Sequence, residues 1–151
     1  MSQLSVQLFT VRKHMKTPEQ IRKTFLQLCR LGIKHIEVAR VKFTRDQAKV
    51  IQEVCTDLGM TVGSTQIKYE TILKDYETLV ELHHMWGCHW IAVSVLPTKY
   101  ILQGEAGIRK FAVLLNDLGE RLSQEGLKLL YHHHHMEFAR YGEKTGLDII
   151  M

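Results

Sequence analysis

The chain has 151 residues, 45% of them hydrophobic and 24% charged, an ordinary balance for one soluble globular domain with a sizeable core. Lys plus Arg exceed Asp plus Glu by 20 to 16, and the formal charge of +4 is scattered in singles and pairs such as Arg12-Lys13, Arg22-Lys23 and Arg109-Lys110. So diffuse a charge suits an anionic small molecule and argues against a nucleic-acid partner. No apolar run approaches the roughly 18 residues that cross a bilayer, and no signal-peptide pattern opens the chain, so no membrane partner is expected.

In chain order, LSVQLFTV from Leu4 alternates like a strand, and Thr17-Pro18-Glu19-Gln20 then starts a helix with a capping threonine and a first-turn proline. Ile21, Phe25, Leu28 and Cys29 keep helical spacing up to Gly32. IKHIEVARV (33–41) reads as the second strand, and Thr44-Arg45-Asp46-Gln47 caps a helix whose apolar face carries Ile51, Val54, Cys55 and Leu58, stopped by Gly59. MTVGSTQI (60–67) is the third strand. After an irregular start near Tyr69, a helix carries Tyr76, Leu79, Val80, His83 and Met85 to Gly87. HWIAVSVL (89–96) is the fourth strand, and a helix marked by Ile108, Phe111, Ala112, Leu115, Leu118 and Leu122 ends at Gly126. LKLLYHHHH (127–135) is the fifth strand. GEKTGLDIIM then opens a helix with Thr145 as its cap.

Strands alternating with helices predict parallel βαβ units. The glycine signature of a dinucleotide-binding sheet is missing after the first strand, which reads FTVRKHMK. Polar residues stand instead at the carboxyl end of every strand: Gln7 and Arg12, Glu37 and Arg40, Ser64 and Gln66, Ser94, and the histidines. That distribution favours a (β/α) barrel of the TIM type, whose active sites gather on that face. A complete barrel takes about 250 residues, so one domain, 1–151, is expected to form the N-terminal part of such a barrel, with about five strands. Its open edges would favour a homo-oligomer.

Three cysteines, Cys29, Cys55 and Cys88, are odd in number and lack CxxC spacing. Reduced thiols and a cytoplasmic location are expected. The run His132–His135 sits inside the chain at a strand, unlike an affinity tag. On a strand, His132 and His134 share one face and His133 and His135 the other, so four imidazoles cannot converge on one ion. Arg12 is a candidate phosphate contact or a surface residue. His83, His84 and His89, with Trp86 and Trp90, read as core packing and helix-end capping.

SVQLFTVR, GIKHIEVARV and LLYHHHHMEFARYGEKTGLDIIM together resemble the sugar phosphate isomerase/epimerase family, whose fold is the xylose isomerase-like TIM barrel. Its members commonly show V-Q-L-Y-S-x-R, G-x-x-x-x-E and Y-H-N-H-x-x-E-F followed by G-x-T-x-L-D. The resemblance implies a small-molecule carbohydrate substrate (a sugar, polyol or sugar phosphate) and proton transfer next to a carbonyl. It also implies a divalent metal such as Mn, Zn, Co or Mg, held mostly by the second half of the barrel. It points His132 and His134 inward, His132 to substrate and proton transfer and His134 to substrate or metal. Glu137 is a candidate metal ligand or base, or a loop cap. Glu37 is a candidate for sugar hydroxyls, or for a structural ion pair with Arg40 or Lys42. Gln7 is a candidate for the pocket floor, or a buried amide satisfied by backbone. A DNA-repair phosphodiesterase of the endonuclease IV type and a non-catalytic, self-associating partial barrel are the competing readings.

Overall fold

The computed structural model describes residues 4–39 and 44–151; Arg40 and Lys42, the expected partners of Glu37, lie outside them. Strands β1 (Ser5–Gln7), β2 (His35–Ala39), β3 (Thr61–Ile67), β4 (Trp90–Val93) and β5 (Lys128–Tyr131) form one sheet, parallel throughout and ordered as in the chain. Helices α1 (Pro18–Arg30), α2 (Arg45–Leu58), α3 (Tyr69–Lys74), α4 (Tyr76–Trp86), α5 (Thr98–Ile101) and α6 (Gly104–Gln124) fill the connections. A two-residue hairpin, β6 (Arg140–Tyr141) and β7 (Lys144–Thr145), leads into α7 (Gly146–Ile150). Among the described residues β1 pairs only with β2, and β5 only with β4. The architecture is a partial (β/α) barrel of five strands. No helix among the described residues is long and apolar enough to cross a membrane.

Local chemistry accounts for the helix ends. Thr17 and Thr44 each accept a hydrogen bond from the backbone N–H three residues on, at Gln20 (3.2 Å) and Gln47 (3.3 Å). Gly59 and Gly87 close α2 and α4 at φ 59° and 62°, a left-handed conformation that costs glycine little. Two apolar clusters lie between sheet and helices. Phe25, Ile36, Ile51 and Val54 anchor the first, and Ile67, Leu79, Ile91, Phe111 and Leu118 the second.

One irregularity in the sheet positions the site. Ile36 pairs with Val62, but Glu37 pairs with Ser64, so Gly63 is the extra residue of a β-bulge. A one-residue slip exchanges the two faces of a strand. Val62 before the bulge and Thr65 and Ile67 after it are buried toward the helices. Ser64 and Gln66 are thereby turned to the same face as Glu37.

The fifth strand is shorter than its apolar pattern predicts, ending at Tyr131 rather than His135. His132 N–H still donates to Val93 O at 3.0 Å, continuing the ladder by one bond. The Glu137 carboxylate then takes the His134 N–H at 2.9 Å, and His135–Phe138 turn into a 3-10 helix. A side chain three residues downstream replaces the strand partner and bends the chain away.

Candidate functional site

A cavity of about 550 Å³ opens at the carboxyl ends of the strands, and its lining includes Gln7, Gln66, Lys68, Ser94, His132 and His134. Beneath it a hydrogen-bonded chain crosses β1, β2 and β3 and reaches the residue that follows β5. Glu37 Oε1 accepts from Gln7 Nε2 at 2.7 Å and from Gln66 Nε2 at 3.0 Å, while Glu37 Oε2 accepts from Ser64 Oγ at 2.7 Å. Gln66 Nε2 also lies 3.1 Å from His132 Nδ1. Three neutral donors thus hold the half-buried Glu37 carboxylate, and no ion pair forms at it among the described residues.

His132 and His134 both line the cavity, their rings edge-to-face at 4.9 Å. His134 Nδ1 is buried without a hydrogen-bond partner. His133 and His135 are exposed, and His133 packs edge-on against Phe138 at 5.5 Å. The two pairs separate even though the strand has ended, because the backbone stays extended through His134 (φ −124°, ψ −168°).

Glu137 does not line the cavity. It is fully buried, accepting from Tyr131 Oη at 2.6 Å on one oxygen and from His134 N–H on the other. Burial, with the Glu137 hydrogen bond second, raises the Tyr131 pKa and keeps the phenol a donor. The structure therefore brings together Gln7, Glu37, His132 and His134, and sets Glu137 behind them as the brace of the His134 turn. Arg12 also stays outside the cavity. It is exposed, donates to Phe9 O at 2.7 Å and stacks 3.9 Å over the Phe9 ring.

Gln66, the link between Glu37 and His132, stands in the sequence only as one polar residue at a strand end. The signal for it was Gly63, since a glycine inside a strand marks a bulge and hence a change of face. Lys68 gave no such signal; it enters the lining because β3 ends beneath it.

His84 and His89 have structural partners. His84 Nε2 lies 2.9 Å from Glu125 O, and His89 Nδ1 3.4 Å from Gly126 O, both at the end of α6. The cysteines are free. Burial raises the thiol pKa of Cys88 and pushes that of Cys55 up to about 12, so neither is poised as a nucleophile.

A divalent metal does not fit as a resident group of the described residues. No three His, Cys, Asp or Glu side chains among them form a group that could hold an ion. His132 and His134 offer two nitrogens where protein sites for such ions generally use three or more donors. The unpartnered His134 Nδ1 is the single feature in favour, and Glu137, expected beside it, is committed elsewhere.

Neither a known family profile nor a curated protein matches the sequence. Among solved structures, the chain is similar to a xylose isomerase-like TIM barrel protein from Mycobacterium smegmatis in complex with magnesium, with a TM-score of 0.62 and 13% identity. The match covers 87% of this chain and 56% of that one, so the chain spans little more than half of that protein. At this identity the likeness bears on the fold alone: the architecture is of the TIM-barrel class, present here as five strands.

Proposed function

We propose that the cavity binds a small carbohydrate, a sugar, polyol or sugar phosphate, and that the protein takes part in isomerase- or epimerase-type chemistry next to a carbonyl. The observation that carries this reading is the chain Gln7–Glu37–Gln66–His132. It arrays amide and imidazole groups over a shared carboxylate at the mouth of four strands, as recognition of several hydroxyls requires. Gln7, Gln66 and Ser94 hydrogen-bond the hydroxyls. His132 supports the carbonyl oxygen as charge builds on it, and the neighbouring imidazole of His134 takes the proton from the adjacent carbon. Lys68, exposed at the rim and without an ion-pair partner among the described residues, is the cation available to a substrate phosphate.

The free thiols fit a reducing, cytoplasmic setting, and the unpaired edges of β1 and β5 fit self-association. Calorimetric titration with pentoses, hexoses, inositols and their phosphates tests the binding step. Binding that weakens in Gln7→Ala and Gln66→Ala is expected. Phosphorylated ligands should lose additional affinity in Lys68→Met. Absence of heat with every carbohydrate would refute the reading.

A further inference from the structure

The bonds under the cavity carry information about where protons sit. Glu37, as a carboxylate, can only accept hydrogen bonds. The end of the Gln66 amide that lies 3.0 Å from Glu37 Oε1 must therefore be the NH2 group, because a carbonyl oxygen there would meet another oxygen lone pair. That same NH2 lies 3.1 Å from His132 Nδ1. An amide nitrogen donates and does not accept, so Nδ1 must be the bare, accepting nitrogen of the ring. The opposite tautomer would set an N–H against an N–H.

We propose that Glu37 and Gln66 are positioning residues that act in series to lock His132 in the tautomer with its proton on Nε2. Nδ1 is tied down toward Gln66 and the ring lines the cavity, so the lock leaves His132 to approach a ligand as a hydrogen-bond donor. The bound group it suits is an acceptor, a carbonyl oxygen or an anionic oxygen. This deepens the carbohydrate reading and rests on it for the ligand, but the tautomer itself rests on the hydrogen-bond geometry alone. It also distinguishes the two imidazoles: His132 holds a proton toward the ligand's oxygen through a fixed Nδ1 bond to Gln66, whereas no side chain fixes Nδ1 of His134 in the same way.

The test is a two-bond 1H–15N correlation spectrum of the full 151-residue chain labelled with 15N at its nine histidines. The His132 signals are identified by their loss in His132→Ala. In the unmodified protein, above the pH at which this ring titrates, His132 should show a protonated Nε2 and a bare Nδ1. In Glu37→Gln, a near-isosteric change, the neighbouring amide is free to turn its oxygen to Nδ1, and the signals should shift toward a mixture of both tautomers. Gln66→Leu should do the same by removing the donor. A His132 already protonated at Nδ1 in the unmodified protein overturns the inference. So does a tautomer unmoved in both variants while their circular dichroism stays native. Failure of every carbohydrate to bind would refute the functional reading and leave the tautomer result standing, so the two failures are distinguishable.

Discussion

Thr65 Oγ1 and His83 Nε2 lie 2.8 Å apart, both side chains fully buried where β3 packs against α4. His83 Nδ1 lies 2.6 Å from Leu79 O, so this nitrogen carries the proton and Nε2 accepts from the threonine hydroxyl. The imidazole is thus neutral with both nitrogens used, and a second proton at Nε2 would place a charge in a fully buried site and force Thr65 to turn its hydroxyl from donor to acceptor.

A pH dependence follows. Burial lowers the His83 pKa to about 4, with the Leu79 carbonyl opposing the shift and His84 reinforcing it. Between pH 6.5 and 4 the unfolded chain takes up a proton at this site that the folded protein refuses. Stability from this site is complete above about pH 6.5, falls as the pH drops through that window, and levels off below about 4. The loss amounts to about 3 kcal/mol at 1.36 kcal/mol per unit. Urea midpoints from pH 7.5 to 4 should fall less steeply in His83→Gln than in the unmodified protein. Parallel curves would contradict the assignment.

Two glycines of the same helix should respond in opposite directions to alanine. A Cβ at Gly107 would stand 2.1 Å from Tyr100 O and 2.7 Å from Gln103 Cβ, where backbone must move. At Gly119 the nearest atom would be Leu129 Cδ2 at 3.8 Å, an ordinary contact. Gly107→Ala should therefore cost about 2–3 kcal/mol, whereas Gly119→Ala should gain about 0.5–1 kcal/mol from helix propensity. Chemical denaturation of the two variants checks the contrast.

Glu137 offers a test of bracing against reactivity. In Glu137→Gln the side-chain oxygen can keep the His134 N–H while the amide donates to Tyr131 Oη, so folding and turnover should both survive. Glu137→Ala leaves the His134 N–H and the Tyr131 hydroxyl unpaired. At about 1–3 kcal/mol for each buried group without a partner, the melting temperature should drop sharply. Loss of turnover in Glu137→Gln with an unchanged melting temperature would mean that the carboxylate itself reacts.

Much of this architecture was legible in the sequence because each signal was local. Thr17 and Thr44 before helical periodicity, and Gly59 and Gly87 after it, mark ends that need only a turn of backbone to form. Thr145 likewise caps α7, accepting from Asp148 N–H at 3.1 Å. The five strands in order followed from apolar runs between those ends.

Features set by partners distant in space were hidden. The end of β5 depends on Glu137 reaching back to the His134 N–H, which no alternation of apolar residues reports. Gln66 joins the site only because the bulge at Gly63 turns it to the face of Glu37, 29 residues earlier in the chain. For Arg12 the sequence left a phosphate contact and a surface role open; the exposed side chain bonds its own Phe9 carbonyl and stacks on that ring, a local contact that residue type alone does not report.

In the proposed function His134 removes a proton next to a sugar carbonyl while His132, set over the Glu37 network, donates to the carbonyl oxygen. Incubation in D2O with ketoses, aldoses and their phosphates, followed by proton NMR, measures this directly. Deuterium is expected at the carbon adjacent to the carbonyl of at least one substrate, with exchange lost in both His132→Ala and His134→Ala and kept in His133→Ala. Exchange that survives in both His132→Ala and His134→Ala, or no exchange with any carbohydrate the protein binds, would contradict it.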